Sequence, residues 1–170
     1  MQYGGISSRI LVAYFSHRGN TREIANHIHK NMGGDIFEIQ VVKPYPHDCQ
    51  ALVLQARQEL DSGHKPALKA KIGNIEPYDL VFIGYPNWWN TVPAPVRIFL
   101  SASDFSGKAI APFCTHDGRG LGRSVMDIAK LCPKSTVLDG VAIIKGGDVK
   151  TARSDVSAWL GKLRKGDLLQ

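Results

Sequence analysis

Six consecutive residues, Ser16, His17, Arg18, Gly19, Asn20 and Thr21, stand between an apolar run, ILVAYF at 10–15, and a segment of helical periodicity, REIANHIHKNM at 22–32. Hydroxyl and amide donors around a glycine, with Arg18 or His17 to add charge, are groups that can hold a phosphate. The start of a helix suits them, because its first amides are unpaired and carry partial positive charge. An ordinary capped turn with no ligand is the competing reading of this stretch alone. Neither the Walker pattern nor the dinucleotide glycine pattern is present, which weighs against ATP and against a Rossmann-type NAD site.

A second stretch, YPNWWNTVPAPV at 85–96, places Trp88 and Trp89 side by side between prolines. Exposed apolar surface of that size is costly without a partner. A planar aromatic ligand would use one indole as a wall, worth about 0.5–1.5 kcal/mol beyond burial. Neighbouring side chains diverge, so one of the two is expected to pack on the following helix. A third stretch, CTHDGRGLGRS at 114–124, has three glycines that let a backbone wrap a flat ligand edge. Its GRGLG has the wrong spacing for a dinucleotide fingerprint. Cys114 and His116 lie two apart and could form a Cys–His nucleophile, but no third orienting group is identifiable. A buried cysteine with a loop histidine is the plainer reading.

The elements that must position these loops follow from periodicity. ILVAYF is apolar throughout, as in a strand covered on both faces. DIFEIQVV at 35–42 alternates as an edge strand does. DLVFIGYP at 79–86, KAIAPFC at 108–114 and TVLDGVAII at 136–144 read as three more strands. Helices are expected after the first strand, capped by Asn20 or Thr21 and stopped at Gly33–Gly34. Others are expected over HDCQALVLQARQELDS at 47–62 and near 93–101, 121–131 and 149–165. The last is capped by Asp148 and carries Val149, Ala152, Val156, Trp159, Leu160 and Leu163 on one face. His27 and His29, two apart on a helix, point to different sides and make poor metal partners.

Alternating strands and helices imply an α/β fold. We expect a three-layer sandwich around a five-stranded parallel sheet of order 2-1-3-4-5, the flavodoxin-like arrangement, filling one domain. Ligands of such sheets bind beyond the carboxyl ends of the strands, where all three stretches fall. A phosphate cradle, a stacking wall and a polar ring edge together have the shape of an FMN site.

The totals agree with this. The chain has 170 residues, 44% hydrophobic and 21% charged, with a net charge of +6. Its basic residues are scattered, so nucleic acid is not expected as a partner, and no apolar run is long enough to span a membrane. The segment MQYGGISSRI has no apolar signal core. Cys49, Cys114 and Cys132 have no metal spacing and fit reduced thiols, so a cytoplasmic location is expected.

At these residues the sequence resembles the flavodoxin-like family, and within it a short branch of flavodoxin-type flavoproteins. The likeness runs from RILVAYFSHRGNT to the last strand. YFS-x-x-GNT resembles the family's phosphate loop, which implies a phosphate role for Ser16, Gly19, Asn20 and Thr21. GYPNWWNTVPAPVRIFL resembles the branch's GYPxWWxTxPxPVRxFL. That implies a ring lining by Pro86, Asn87, Trp88, Trp89, Asn90 and Thr91, with Trp88 the first choice for stacking and Trp89 the second. The third loop implies ring-edge contacts from Thr115, Gly118, Gly120 and Gly122, joined by their neighbours His116 and Leu121. KPYPHD and the helix through Glu59 also resemble the branch, without an assigned role.

Two departures stand out. The family's loop has threonine where this chain has Arg18, preceded by His17; the arginine could pair the phosphate or swing to solvent. Electron-carrier flavodoxins are typically acidic, whereas Arg119 and Arg123 flank the third loop here. One cation about 8 Å from the ring, at an effective dielectric of about 20, favours an anionic reduced flavin by roughly 2 kcal/mol. For a one-electron couple that is about 90 mV upward.

The expected function is electron transfer through non-covalently bound FMN, serving a redox partner protein or a small-molecule acceptor. The alternative is an NAD(P)H-dependent, quinone-reductase-like enzyme. A scaffold that has lost its cofactor is disfavoured by the intact GNT and WW stretches, and a homodimer is left open.

Overall fold

The computed structural model describes residues 9–166; residues 1–8 of the N-terminal segment read above and the last four residues lie outside it. Five elements alternate from the start: β1 (Ile10–Tyr14), α1 (Asn20–Met32), β2 (Asp35–Glu38), α2 (Cys49–Ser62) and β3 (Leu80–Pro86). They are followed by α3 (Ala94–Ser101), β4 (Ala109–His116), α4 (Ser124–Leu131), β5 (Thr136–Val137), β6 (Val141–Ile144) and α5 (Val149–Lys165). All named strand pairs are parallel and the order is β2-β1-β3-β4-β5, with β6 also pairing β4.

The apolar runs become the central strands because both faces are covered. On one face Val12, Phe82 and Phe113 meet Ile28 of α1 and Val156, Trp159, Leu160 and Leu163 of α5. Val149, expected on the same α5 face, has its side chain outside the described part. On the other face Leu11, Val81 and Ile83 meet Leu52 of α2, Phe99 and Leu100 of α3 and Ile128 of α4. The three-layer α/β sandwich and the strand order are as expected.

The count of five strands needs correction, because the run 136–144 is divided. Ile110 pairs Val137 and Phe113 pairs Val141, so two residues of β4 oppose three of the last run. One extra residue is a bulge. Pro112, with no N–H to give the ladder, lies opposite the interruption. The edge strand is also shorter than expected, although Ile39 and Val41 continue its buried side.

Asp148 caps α5 as expected, and Asp48, not singled out in the sequence, caps α2. Asp48 accepts from the Ala51 amide at 2.8 Å to open α2, and Asp148 accepts from Lys150 and Thr151 to open α5. The exception is α1, capped by neither Asn20 nor Thr21: Gly19 holds that place in a left-handed conformation.

Candidate functional site

β1, β3, β4 and β6 all release their chains at one end of the sheet. The first loop folds around a hydroxyl: Ser16 Oγ accepts the amides of Gly19 at 3.1 Å and Arg22 at 3.2 Å. Gly19, at φ 92°, makes the sharp reversal possible. Glu23 N bonds the Gly19 carbonyl. The amides of Asn20 and Thr21 are then left without a protein acceptor among the described residues. They open onto a pocket of about 30 Å³ lined by Ser16, His17, Arg18, Thr115 and Lys145, among others. The Thr21 and Thr115 hydroxyls, 1% and 2% exposed, meet at 2.9 Å and join the first loop to the end of β4.

Two free amides at a helix start beside cationic side chains are groups that can hold an anion. Arg18 lines this pocket and does not swing free. Its Nη2 donates to the His47 carbonyl at 2.7 Å and lies 3.1 Å from Cys49 Sγ, strapping the first loop to the start of α2.

The loop after β3 closes on itself within four residues. Trp88 and Thr91 exchange backbone hydrogen bonds of 3.2 and 3.3 Å across Trp89 and Asn90, whose φ values are 55° and 67°. A two-residue turn with both central residues left-handed is the type I′ geometry, which glycine or asparagine usually supplies. A tryptophan there is strained, and such strain concentrates at functional sites. The turn sends the indoles apart. Trp88 goes inward, edge-on to Phe15 (5.4 Å) and Tyr45 (4.9 Å). Trp89 goes outward, donating to the Val53 carbonyl of α2 at 2.8 Å with the Arg57 guanidinium over its ring.

Both indoles line a second, contiguous cavity of about 280 Å³, together with Asn87, Asn90, Leu52, Val53, Asp117, Arg119 and Lys145. A cavity of that size, with the small pocket at its inner end, suits a planar ring carrying an anionic tail.

Not all expected residues line these spaces. Thr91 is 2% exposed and its hydroxyl is spent on Asp127, which also pairs Arg123 at 3.2 Å. His116 Nδ1 accepts the amides of Gly118 and Gly120, both at 3.0 Å, and so shapes the third loop from beneath. Leu121 packs on the core, and Gly122 presses against Asn90. Gly120 offers its carbonyl to Asn87 Nδ2 at 2.6 Å. These residues build the cavity; Ser16, His17, Arg18, Asn20, Thr21, Pro86, Asn87, Trp88, Trp89, Asn90 and Thr115 line it.

The nucleophile reading of Cys114 and His116 is removed: the histidine lone pair is occupied, and burial pushes the Cys114 thiol up to about 12. Cys132 is pushed up to about 11 by the same cause. With Cys49 exposed and the other two buried, one cysteine of three is expected to react when the native protein meets iodoacetamide at neutral pH. Peptide mass mapping should find the label on Cys49, and label on Cys114 would contradict this packing.

Sequence reasoning missed the fourth wall. Leu52, Val53 and Ala56 of α2 line the cavity, and no spacing signal marked them. Lys145 was findable, since it follows a strand whose carboxyl end faces the site.

Two buried polar atoms have no partner among the described residues, Asn87 Oδ1 and His17 Nε2, and their side chains line the two spaces. Burial, then Arg18 and His47, hold the His17 imidazole below its ordinary 6.5. Burial also lowers His27. As pH falls through 6.5 the unfolded chain takes up protons that these folded histidines refuse, so stability present at neutral pH is lost on acidification. Urea midpoints of the ligand-free protein should therefore fall between about pH 7 and pH 5, and by less in His17→Gln.

Residues 9–163 match the flavodoxin family. The chain belongs to that family. Among solved structures, this flavodoxin-family chain resembles a candidate flavoprotein from Bacteroides eggerthii DSM 20697. That protein is 33% identical, with a TM-score of 0.78 over 91% of this chain and 97% of the other. A flavoprotein in complex with FMN from Lactobacillus acidophilus NCFM shares the fold at 21% identity, with a TM-score of 0.73 over 91% and 99%. Oxidised flavodoxin 2 from Bacillus cereus does so at 17% identity, with a TM-score of 0.59 over 93% and 99%. No curated protein matches the chain. Among the described residues no helix is long and apolar enough to cross a membrane.

Proposed function

We propose that this flavodoxin-family protein binds FMN non-covalently and passes electrons through it. The observation that carries the reading is the coincidence, in two adjoining spaces, of free α1 amides and two buried polar atoms without partners among the described residues. The residues present fit the group. Asn20, Thr21 and Ser16 hold its phosphate, and Lys145 adds charge at the same place. Trp88 provides the apolar wall, Trp89 the outer flank. Asn87 Oδ1 accepts a hydrogen bond and His17 Nε2 accepts or donates one, each having no partner among the described residues. FMN supplies the one- and two-electron chemistry when bound.

The protein's own part is binding, orientation and electrostatics. Buried Thr21 and Thr115 keep the first and third loops in fixed relation, while α2 and Trp88 exclude water from one side. Arg119 and Lys145 favour added negative charge in the cavity, so a less reducing flavin than in acidic carriers remains our expectation. Arg123 contributes less, being paired with Asp127.

Electron carriage is the leading reading, with the same cations favouring a second one in which a nicotinamide nucleotide docks by its phosphate. The three free thiols support a cytoplasmic location. To decide, the protein is loaded with FMN, stripped of excess flavin by gel filtration and mixed anaerobically with NADPH or NADH. Slow bleaching that dithionite completes at once marks a carrier. Rapid bleaching marks a reductase, and absence of retained flavin overturns both.

A further inference from the structure

A small void of about 10 Å³ is bordered by Trp88, Glu59, Arg97 and Ala56. Trp88 and Ala56 border both this void and the larger cavity. Glu59 is 5% exposed, and Tyr45, also 5% exposed, donates its hydroxyl to both carboxylate oxygens at 2.6 and 2.9 Å. No other protein donor reaches that carboxylate among the described residues. Arg97, half-buried and donating to the Val92 carbonyl at 2.7 Å, supplies the opposing charge nearby.

Burying a carboxyl group in an apolar core is costly unless it is hydrogen-bonded. The pairing here fixes the Tyr45 ring, and that ring meets Trp88 edge-on at 4.9 Å and 72°. Phe15 closes the group, edge-on to both. The three rings therefore have one mutual arrangement, and its anchor is Glu59.

We infer that Glu59 and Tyr45 are positioning residues that hold the Trp88 indole as a preset wall, and so set the affinity for the isoalloxazine ring without touching it. This rests on the FMN reading above. Burial followed by the Glu59 bond raises the Tyr45 phenol well above its ordinary range, so the hydroxyl stays a donor at all working pH. A preset wall spares the ligand the cost of ordering it.

The test uses the whole chain labelled with 5-fluorotryptophan, the Trp88 fluorine resonance being assigned through Trp88→Phe. In Glu59→Leu the ligand-free Trp88 resonance should broaden or split while those of Trp89 and Trp159 stay in place. FMN should bind about tenfold more weakly, with the affinity for inorganic phosphate unchanged. Glu59→Gln, which keeps an acceptor, should restore both the resonance and the affinity. Tyr45→Phe, which keeps the ring contact but loses the hydroxyl, covers the case in which Glu59→Leu does not fold, and should perturb the Trp88 resonance likewise. An unchanged Trp88 resonance in folded Glu59→Leu or Tyr45→Phe overturns the inference, as does equal weakening of FMN and phosphate binding. A wild-type protein that binds no FMN overturns the FMN reading instead, and the fluorine spectra still decide whether the brace exists.

Discussion

Gly122→Ala is expected to lower FMN affinity at least tenfold, while leaving a folded protein. Gly122 sits at φ 55°, and a Cβ built there lies 2.1 Å from Asn90 Oδ1 and 2.6 Å from the Asn90 carbonyl oxygen. The Asn90 side chain can rotate aside, but its backbone carbonyl cannot retreat easily. Asn90 is itself left-handed, and its carbonyl accepts the Arg123 amide at 2.9 Å. The turn carrying Trp88 and Trp89 must therefore move away from the third loop, opening the cavity between them. Backbone strain at such a position costs about 1–3 kcal/mol, so the melting temperature should fall as well. Flavin-fluorescence titration beside a thermal melt checks both, and unchanged affinity would mean that the two loops do not share the ligand.

Gly84→Ala should have the largest effect on stability. Gly84 lies in β3 beside Phe113 of β4, and a Cβ at Gly84 would stand 2.1 Å from Phe113 Cζ and 2.2 Å from Cε2. Phe113 is fully buried. Overpacking of this kind costs about 1–3 kcal/mol, occasionally more, and a rigid, fully buried ring belongs at the upper end. The Gly84 carbonyl also accepts the Phe15 amide at 2.9 Å, where the first loop leaves the sheet. Loss of packing should therefore reach the anion pocket. A lowered urea midpoint, partly recovered by adding Phe113→Leu, is the expected result; a midpoint equal to wild type would contradict the close approach.

Much of this was legible in the sequence because it depends on neighbours along the chain. The apolar runs marked β1, β3 and β4, and the glycine and polar residues after them marked the loops. Strand order followed from alternation and from the polar face of DIFEIQVV. What escaped depends on contacts between distant segments. Pro112 interrupts pairing in a strand 24 or more residues ahead of it in the chain, so 136–144 read as one piece. Gly19 takes the cap of α1 because the Ser16 hydroxyl, three residues back, claims the nearby amides. The α2 wall lay hidden because Leu52, Val53 and Ala56 look like any helix face until Trp89 is seen bonded to the Val53 carbonyl. The divergence of the two tryptophans was foreseeable from their adjacency. The left-handed turn that enforces it was not, since tryptophan is a poor sign of such a turn.

Arg18 illustrates the same limit. Its charge beside the anion pocket was visible, but its partners, the His47 carbonyl and Cys49 Sγ, lie some thirty residues on. The arginine therefore lines both spaces while it ties the first loop to the start of α2.

The central claim is that this cavity takes FMN, and one titration tests it most directly: ligand-free protein added to FMN while flavin fluorescence is followed, with riboflavin in parallel. The account predicts saturation at one equivalent, with a dissociation constant below about 1 μM for FMN and weaker binding of riboflavin, which lacks the anion for the Asn20 and Thr21 amides. Unaltered flavin fluorescence throughout the titration, or equal affinity for the two flavins, would contradict it.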